Sequence, residues 1–100
     1  MDTTHKKLLT IITEAVLEPR LIELVREMGA TGYTVTEARG SGSRGVRSAG
    51  WMHNGNVRLE VICTDEVAAK ISEHLKAHFY ADYAMVSFVI DVGVLRADKF

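Results

Sequence analysis

Cysteine occurs once in this 100-residue sequence, at Cys63, and proline once, at Pro19. A single thiol excludes an internal disulfide and a cysteine metal cluster. No apolar run approaches the roughly 20 residues that a membrane-spanning helix needs. The opening residues Asp2, Thr3, Thr4, His5, Lys6 and Lys7 precede an apolar run too short and too interrupted for a secretion signal. A cytoplasmic location is therefore expected. Net charge is −1, so the broad basic face that binds a nucleic-acid duplex is missing, and nucleic acid is not an expected partner. Hydrophobic residues make up 47% of the chain, which excludes a disordered composition. The length makes one domain, residues 1–100, with a thin core that assembly with further copies would support.

Acid is absent from Arg39 to Arg58, a stretch that holds Arg39, Arg44, Arg47 and Arg58 and five of the eight glycines. A positive, glycine-rich stretch inside a neutral protein points to a discrete anion site. Around it the chain has regular periods. Leu8, Leu9, Ile11 and Ile12 form a short apolar run ending near Thr13, read as a buried strand. Pro19 suits the first turn of a helix, and Leu21, Ile22, Leu24, Val25 and Met28 follow at helical spacing, with Gly29 as the stop. That predicts a helix over Pro19–Met28. Tyr33 to Arg39 carries strand-favouring residues. Residues from Gly40 to about Gly55 have neither period and form a loop longer than usual, of the kind that is functional or mobile. Val57, Leu59 and Val61 alternate with Arg58, Glu60 and Ile62 as a third strand. Thr64 caps a second helix, with Asp65 and Glu66 in its first turn and an apolar stripe of Val67, Ala68, Ile71, Leu75 and Phe79. Val86, Phe88, Val89, Ile90 and Val92 form the last strand.

The predicted order is β-α-β-β-α-β, the ferredoxin-like arrangement of an α+β sandwich. Both helices then lie on one sheet face. Strand positions on both faces are apolar, among them Leu9, Ile12, Val61, Ile62, Val89 and Ile90, so the face without helices is expected to pack against further copies.

The loop opens with Gly40-Ser41-Gly42-Ser43-Arg44-Gly45. The letters match G-x-G-x-x-G, but no helical stripe follows, which argues against a dinucleotide-binding fold. No Gly-Lys-Ser/Thr follows either, so it is not a Walker loop. The chemistry is still that of a phosphate cradle. Glycines let backbone N–H groups approach a ligand, Ser41, Ser43 and Ser48 add hydroxyls, and Arg44 and Arg47 add guanidinium forks. A soluble surface loop is the plainer alternative.

Gly32-Tyr33-Thr34-Val35-Thr36-Glu37-Ala38-Arg39-Gly40-Ser41-Gly42 resembles the strand and T-loop entry of PII signal-transduction proteins. Asn56-Val57-Arg58-Leu59-Glu60-Val61-Ile62 resembles the strand that returns from that loop. Gly42-Ser43-Arg44-Gly45-Val46-Arg47-Ser48, with Asp82-Tyr83-Ala84 before the last strand, is similar to the PII-like branch tied to bicarbonate transport and carboxysomes. The resemblance covers nearly the whole chain. It implies a homotrimer with a T-loop over about 40–55 and a nucleotide site in each seam between subunits. By position it places base and ribose against Thr34, Gly40, Glu60 and Ile62. The phosphates fall to Gly42, Ser43, Arg44 and Arg47, with Tyr83 and Ala84 bordering the cleft. The implied ligands are ADP, AMP or ATP, with bicarbonate as a second ligand at Ser43, Arg44 and Arg47. The implied role is a carbon-concentrating regulator that is not an enzyme and has no metal or resident cofactor. Its implied partner is a membrane bicarbonate transporter, which would bring it to the membrane periphery. Arg44 stands where standard PII proteins have a glutamine, the loop before the last strand has no lysine, and no tyrosine lies in the T-loop. Sensing of 2-oxoglutarate and uridylylation are therefore not expected.

Two other readings stay open: a weak nucleotide phosphohydrolase using Arg44 or Arg47 and a metal, and a structural trimer of the same fold without nucleotide. His74 and His78, four apart on one helix face, have metal-binding spacing but no third ligand in view and read as surface residues. His53, Trp51 and Met52 fall in the loop, where large apolar residues mark either a partner contact or a fold back over a neighbour.

Overall fold

The first strand, β1, spans Thr4–Glu14, four residues more at its start than the apolar run predicts. His5, Lys6 and Lys7 are strand because their backbone pairs with the end of the last strand, not because of hydropathy. The computed structural model describes residues 2–40, 55–96, 98 and 100. A short 3-10 turn, Ala15–Leu17, leads into helix α1, Glu18–Glu27, with Pro19 in its first turn as expected. It closes through Gly29, whose φ of 112° is a left-handed value. Ala30 N–H reaches Val25 O at 2.9 Å, the bond that finishes such a C-terminus. Strand β2 is Thr34–Ala38, shorter than predicted at both ends. Tyr33 lies outside it, with the Arg26 guanidinium 5.7 Å from its ring centre. Strand β3 is Asn56–Cys63, helix α2 is Asp65–His78 and strand β4 is Val86–Val94. Thr64 caps α2 as predicted: Val67 N–H donates to its Oγ1 at 3.2 Å.

The sheet order is β2-β3-β1-β4, with every neighbouring pair antiparallel. With the element order this is the ferredoxin-like βαββαβ sandwich expected from the sequence. Residues opposite each other on paired strands share a face. Leu9 stands between Val61 and Val89, and Ile11 between Leu59 and Ser87. Leu9, Ile11, Leu59 and Val61 are fully buried against Leu21, Leu24 and Val25 of α1 and Ala68, Ile71 and Leu75 of α2. The other face carries Leu8, Thr10, Ile12, Arg58, Glu60, Ile62, Phe88 and Ile90 and has no helix on it. Cys63 ends β3 at 2% exposure, and burial pushes its thiol pKa up.

At the far end of the sheet from the 40–55 segment, Asp91 of β4 joins two residues of β1. Its Oδ1 is 2.9 Å from His5 Nε2 and accepts from Lys7 Nζ at 2.5 Å. The hydrogen bond from His5, then that from Lys7, hold its carboxyl pKa at about 2.

Both the cap and the Asp91 cluster have measurable consequences. Thr64→Ala lowers folding stability by about 1 kcal/mol in urea denaturation, the usual scale for a lost N-cap. The Asp91 pKa is lowered on folding, so the stability it adds is complete above about pH 4 and is lost as pH falls toward 2. The stability gap between wild type and Asp91→Asn therefore narrows over that window, measured by thermal melts. High salt shrinks it at every pH, because the pair is exposed.

Candidate functional site

Ala38 opposite Asn56 is the last pair before the chain leaves β2 for the 40–55 segment and re-enters β3. The site is built on the helix-free face of these two strands. One row across the sheet reads Thr34, Glu60, Thr10, Phe88, and the next reads Thr36, Arg58, Ile12, Val86. The β2–β3 half is therefore polar: two hydroxyls, a carboxylate and a guanidinium in a two-by-two array. Arg58 Nε donates to Glu60 Oε2 at 3.2 Å, and Nη2 lies 3.2 Å from the same oxygen. The β1–β4 half is apolar, with Val86, Phe88 and Ile90 exposed by 50%, 40% and 48%. An apolar area of this kind on a small domain marks a contact surface. Between the halves Thr10 is fully buried, and its Oγ1 has no hydrogen-bond partner. Asn56 Oδ1, at the base of the 40–55 segment, is likewise buried without one, in both cases among the described residues.

The structure places Thr34, Glu60 and Ile62 on one face. Gly40 lies two residues beyond the end of β2. Ala84 is at the same end of the sheet as Asn56, where its carbonyl accepts from Thr13 Oγ1 at 3.1 Å. Tyr83 is not brought to the array. Its ring lies on the helical side, 5.9 Å from that of Phe79, and its hydroxyl accepts from Arg20 Nη1 at 3.2 Å. The Arg20 guanidinium also sits 4.7 Å from the Phe79 ring centre, so this trio closes the core beside the α2–β4 connection. Gly42, Ser43, Arg44 and Arg47 fall outside the described residues, as do Trp51, Met52 and His53. The His74 and His78 rings are 4.4 Å apart, and no group of three or more metal-ligating side chains occurs among the described residues.

Sequence reasoning left Thr10, Thr36 and Arg58 out of the site. The signal for Arg58 was available: two residues before Glu60 on a strand puts both side chains on one face. The same spacing joins Thr36 to Thr34, whereas Thr10 carries no such signal without the register.

A protein-family model described as nitrogen regulatory protein P-II matches residues 6–99. This chain belongs to the P-II family. Among solved structures it is similar to a PII-like signalling protein of Thermus thermophilus, at 40% identity and a TM-score of 0.84, over 99% of this chain and 98% of that one. It is similar to CPII of Thiomonas intermedia bound to ADP and bicarbonate, at 26% identity and a TM-score of 0.88, covering 99% and 97%. The same protein bound to ADP, AMP and bicarbonate matches at 25% identity and a TM-score of 0.86, covering 99% and 96%. The chain is thus a PII-like signalling protein, of a family of regulators and not of enzymes. No helix among the described residues is long and apolar enough to cross a membrane.

Two glycines of this PII chain bracket the 40–55 segment and differ in what they demand. Gly55 has a φ of 66°, whereas Gly40 has no left-handed φ and an added Cβ there meets none of the described residues within 4 Å. Gly55→Ala is expected to lower stability by roughly 1 kcal/mol. Gly40→Ala is expected to stay within about 0.5 kcal/mol of wild type. Parallel urea titrations measure both.

Proposed function

We propose that this P-II family chain binds adenine nucleotides, ADP, AMP or ATP, in the seams of a homotrimer. Bicarbonate is its second ligand, and it signals inorganic-carbon status through the 40–55 segment to a membrane bicarbonate transporter. The observation that carries this reading is the divided helix-free face. Its apolar half needs cover, and a second copy supplies it. Its polar half, beside the base of the 40–55 segment, is then left at the seam. The Thiomonas CPII structures, bound to ADP and bicarbonate, support the choice of ligands.

The proposed division of roles follows charge. Thr34, Glu60 and Ile62 face the nucleoside, with Gly40 and Ala84 at the edge of the seam and Tyr83 behind them. Gly42, Ser43, Arg44 and Arg47 face the phosphates, and Ser43, Arg44 and Arg47 also suit the planar bicarbonate anion, which a guanidinium pairs through two parallel hydrogen bonds. Two ligands that share these arginines alter one another's affinity, and that coupling is reciprocal.

Light scattering is expected to give three times the chain mass, and calorimetry to give binding of ADP whose affinity changes with bicarbonate. Arg44→Ala or Arg47→Ala weakens ADP by roughly 1–3 kcal/mol, about 5- to 150-fold, the scale of a lost charge-assisted hydrogen bond. A monomer, or no heat from ADP, AMP or ATP at millimolar concentration, sinks the proposal.

A further inference from the structure

Along the helix-free face of β3 the side chains run Asn56, Arg58, Glu60, Ile62: an amide, a cation, an anion and an apolar group. On a strand these stand about 6.6 Å apart. An adenine nucleotide has a matching order, with a flat apolar base, a ribose bearing hydroxyl donors and anionic phosphates. On the site proposed above the base lies by Ile62 and the ribose by Glu60; we infer that Arg58 is the positioning residue for Glu60, holding its carboxylate to accept from the ribose hydroxyls. The inference rests on the nucleotide site proposed above and assigns a role to Arg58, which that proposal does not use.

The geometry gives three reasons. An ionised carboxylate only accepts hydrogen bonds, so of the nucleotide's groups it can face the hydroxyls or the base amine and repels phosphate. Between the apolar Ile62 and the cationic Arg58, the hydroxyls are the donors in reach. Secondly, both Arg58 contacts go to one oxygen: Nε and Nη2 each lie 3.2 Å from Glu60 Oε2. Among the described residues Oε1 is thereby left for a ligand, and its direction is set. Thirdly, Arg58 lies on the segment side of Glu60, between it and Asn56. Its charge therefore screens the carboxylate from phosphates held nearer the 40–55 segment. The neighbouring hydroxyls of Thr34 and Thr36, directly opposite Glu60 and Arg58, complete a polar strip of ribose-phosphate character.

The test compares ADP with 2′,3′-dideoxyADP, which lacks both ribose hydroxyls, by calorimetry on the assembled protein. Wild type is expected to prefer ADP by about tenfold or more, the scale of a hydrogen bond to a charged group. Arg58→Gln and Glu60→Ala each bring that preference below about threefold. The double variant binds ADP no more than about twofold worse than the weaker single variant, because both act on one contact. Arg58→Lys keeps the charge without the fork and gives an intermediate preference; it also serves if the glutamine variant does not fold. An unchanged ADP preference in both Arg58 variants, or fully additive losses in the double variant, overturns the inference. Absence of ADP binding to wild type overturns instead the nucleotide site itself.

Discussion

Lys7 to Glu14 pair residue for residue with Cys63 to Asn56, and that pairing of β1 with β3 decides which side chains are inside. Leu9 meets Val61 and Ile11 meets Leu59 on the helical side. Leu8 meets Ile62 and Thr10 meets Glu60 on the other. A slip of one residue by β3 would turn its side chains over, because strand side chains alternate with a period of two. The core would then contain Arg58 and Glu60 in place of Leu59 and Val61, and burying that charge without full compensation is costly. The helices hold the register from one side: α1 and α2 offer apolar stripes that only the Leu9–Ile11–Leu59–Val61 set can fill.

The same register leaves the other face unfinished in a particular way. β4 brings Val86, Phe88 and Ile90 to it, next to Leu8 and Ile12 of β1, whereas β2 and β3 bring threonines and the Arg58–Glu60 pair. The boundary passes along β1 through Thr10. A second copy covering the apolar half would therefore stop at the polar array, so on the proposed reading one register would supply both an association surface and a ligand seam. The exposed charge cluster of His5, Lys7 and Asp91 lies at the opposite end of the sheet, where it ties β4 to β1 without entering this seam.

Local signals explain what was readable in advance. The Thr64 cap, the Pro19 start, the Gly29 stop and the alternation from Val57 to Ile62 each act within a few residues, and each element they mark is present. The start of β1 was not readable, because His5, Lys6 and Lys7 owe their strand backbone to Val92, Gly93 and Asp91 almost ninety positions away. Gly93 has the same origin: a Cβ there would lie 2.9 Å from Thr3 Oγ1, a closeness no local pattern reveals. At the candidate site, alternation put Glu60 and Ile62 on one side of β3, and family resemblance alone named Thr34, Glu60 and Ile62 for the nucleoside. Tyr83 was named with Ala84 through the resemblance of Asp82-Tyr83-Ala84, but its ring follows Arg20 and Phe79 to the helical side. Adjacent residues in a connection need not share a face, and only the long-range contact with Arg20 decides it.

The array and the segment beside it differ in what they can contribute to a signal. A ligand shifts a conformational equilibrium only through interactions that differ between the states. Thr34, Thr36, Arg58 and Glu60 are fixed to the paired strands β2 and β3, and their positions are set by the ladder whatever the segment does. On the proposed reading, contacts to them hold the ligand without distinguishing one signalling state from another. Arg44 and Arg47 belong to the segment itself, so phosphate contacts there would be the ones that distinguish those states. The nucleoside would then determine how tightly the ligand is held, and the anionic end would determine what surface is presented. On that reading the number of phosphates, or a bicarbonate beside them, is the variable the site would report.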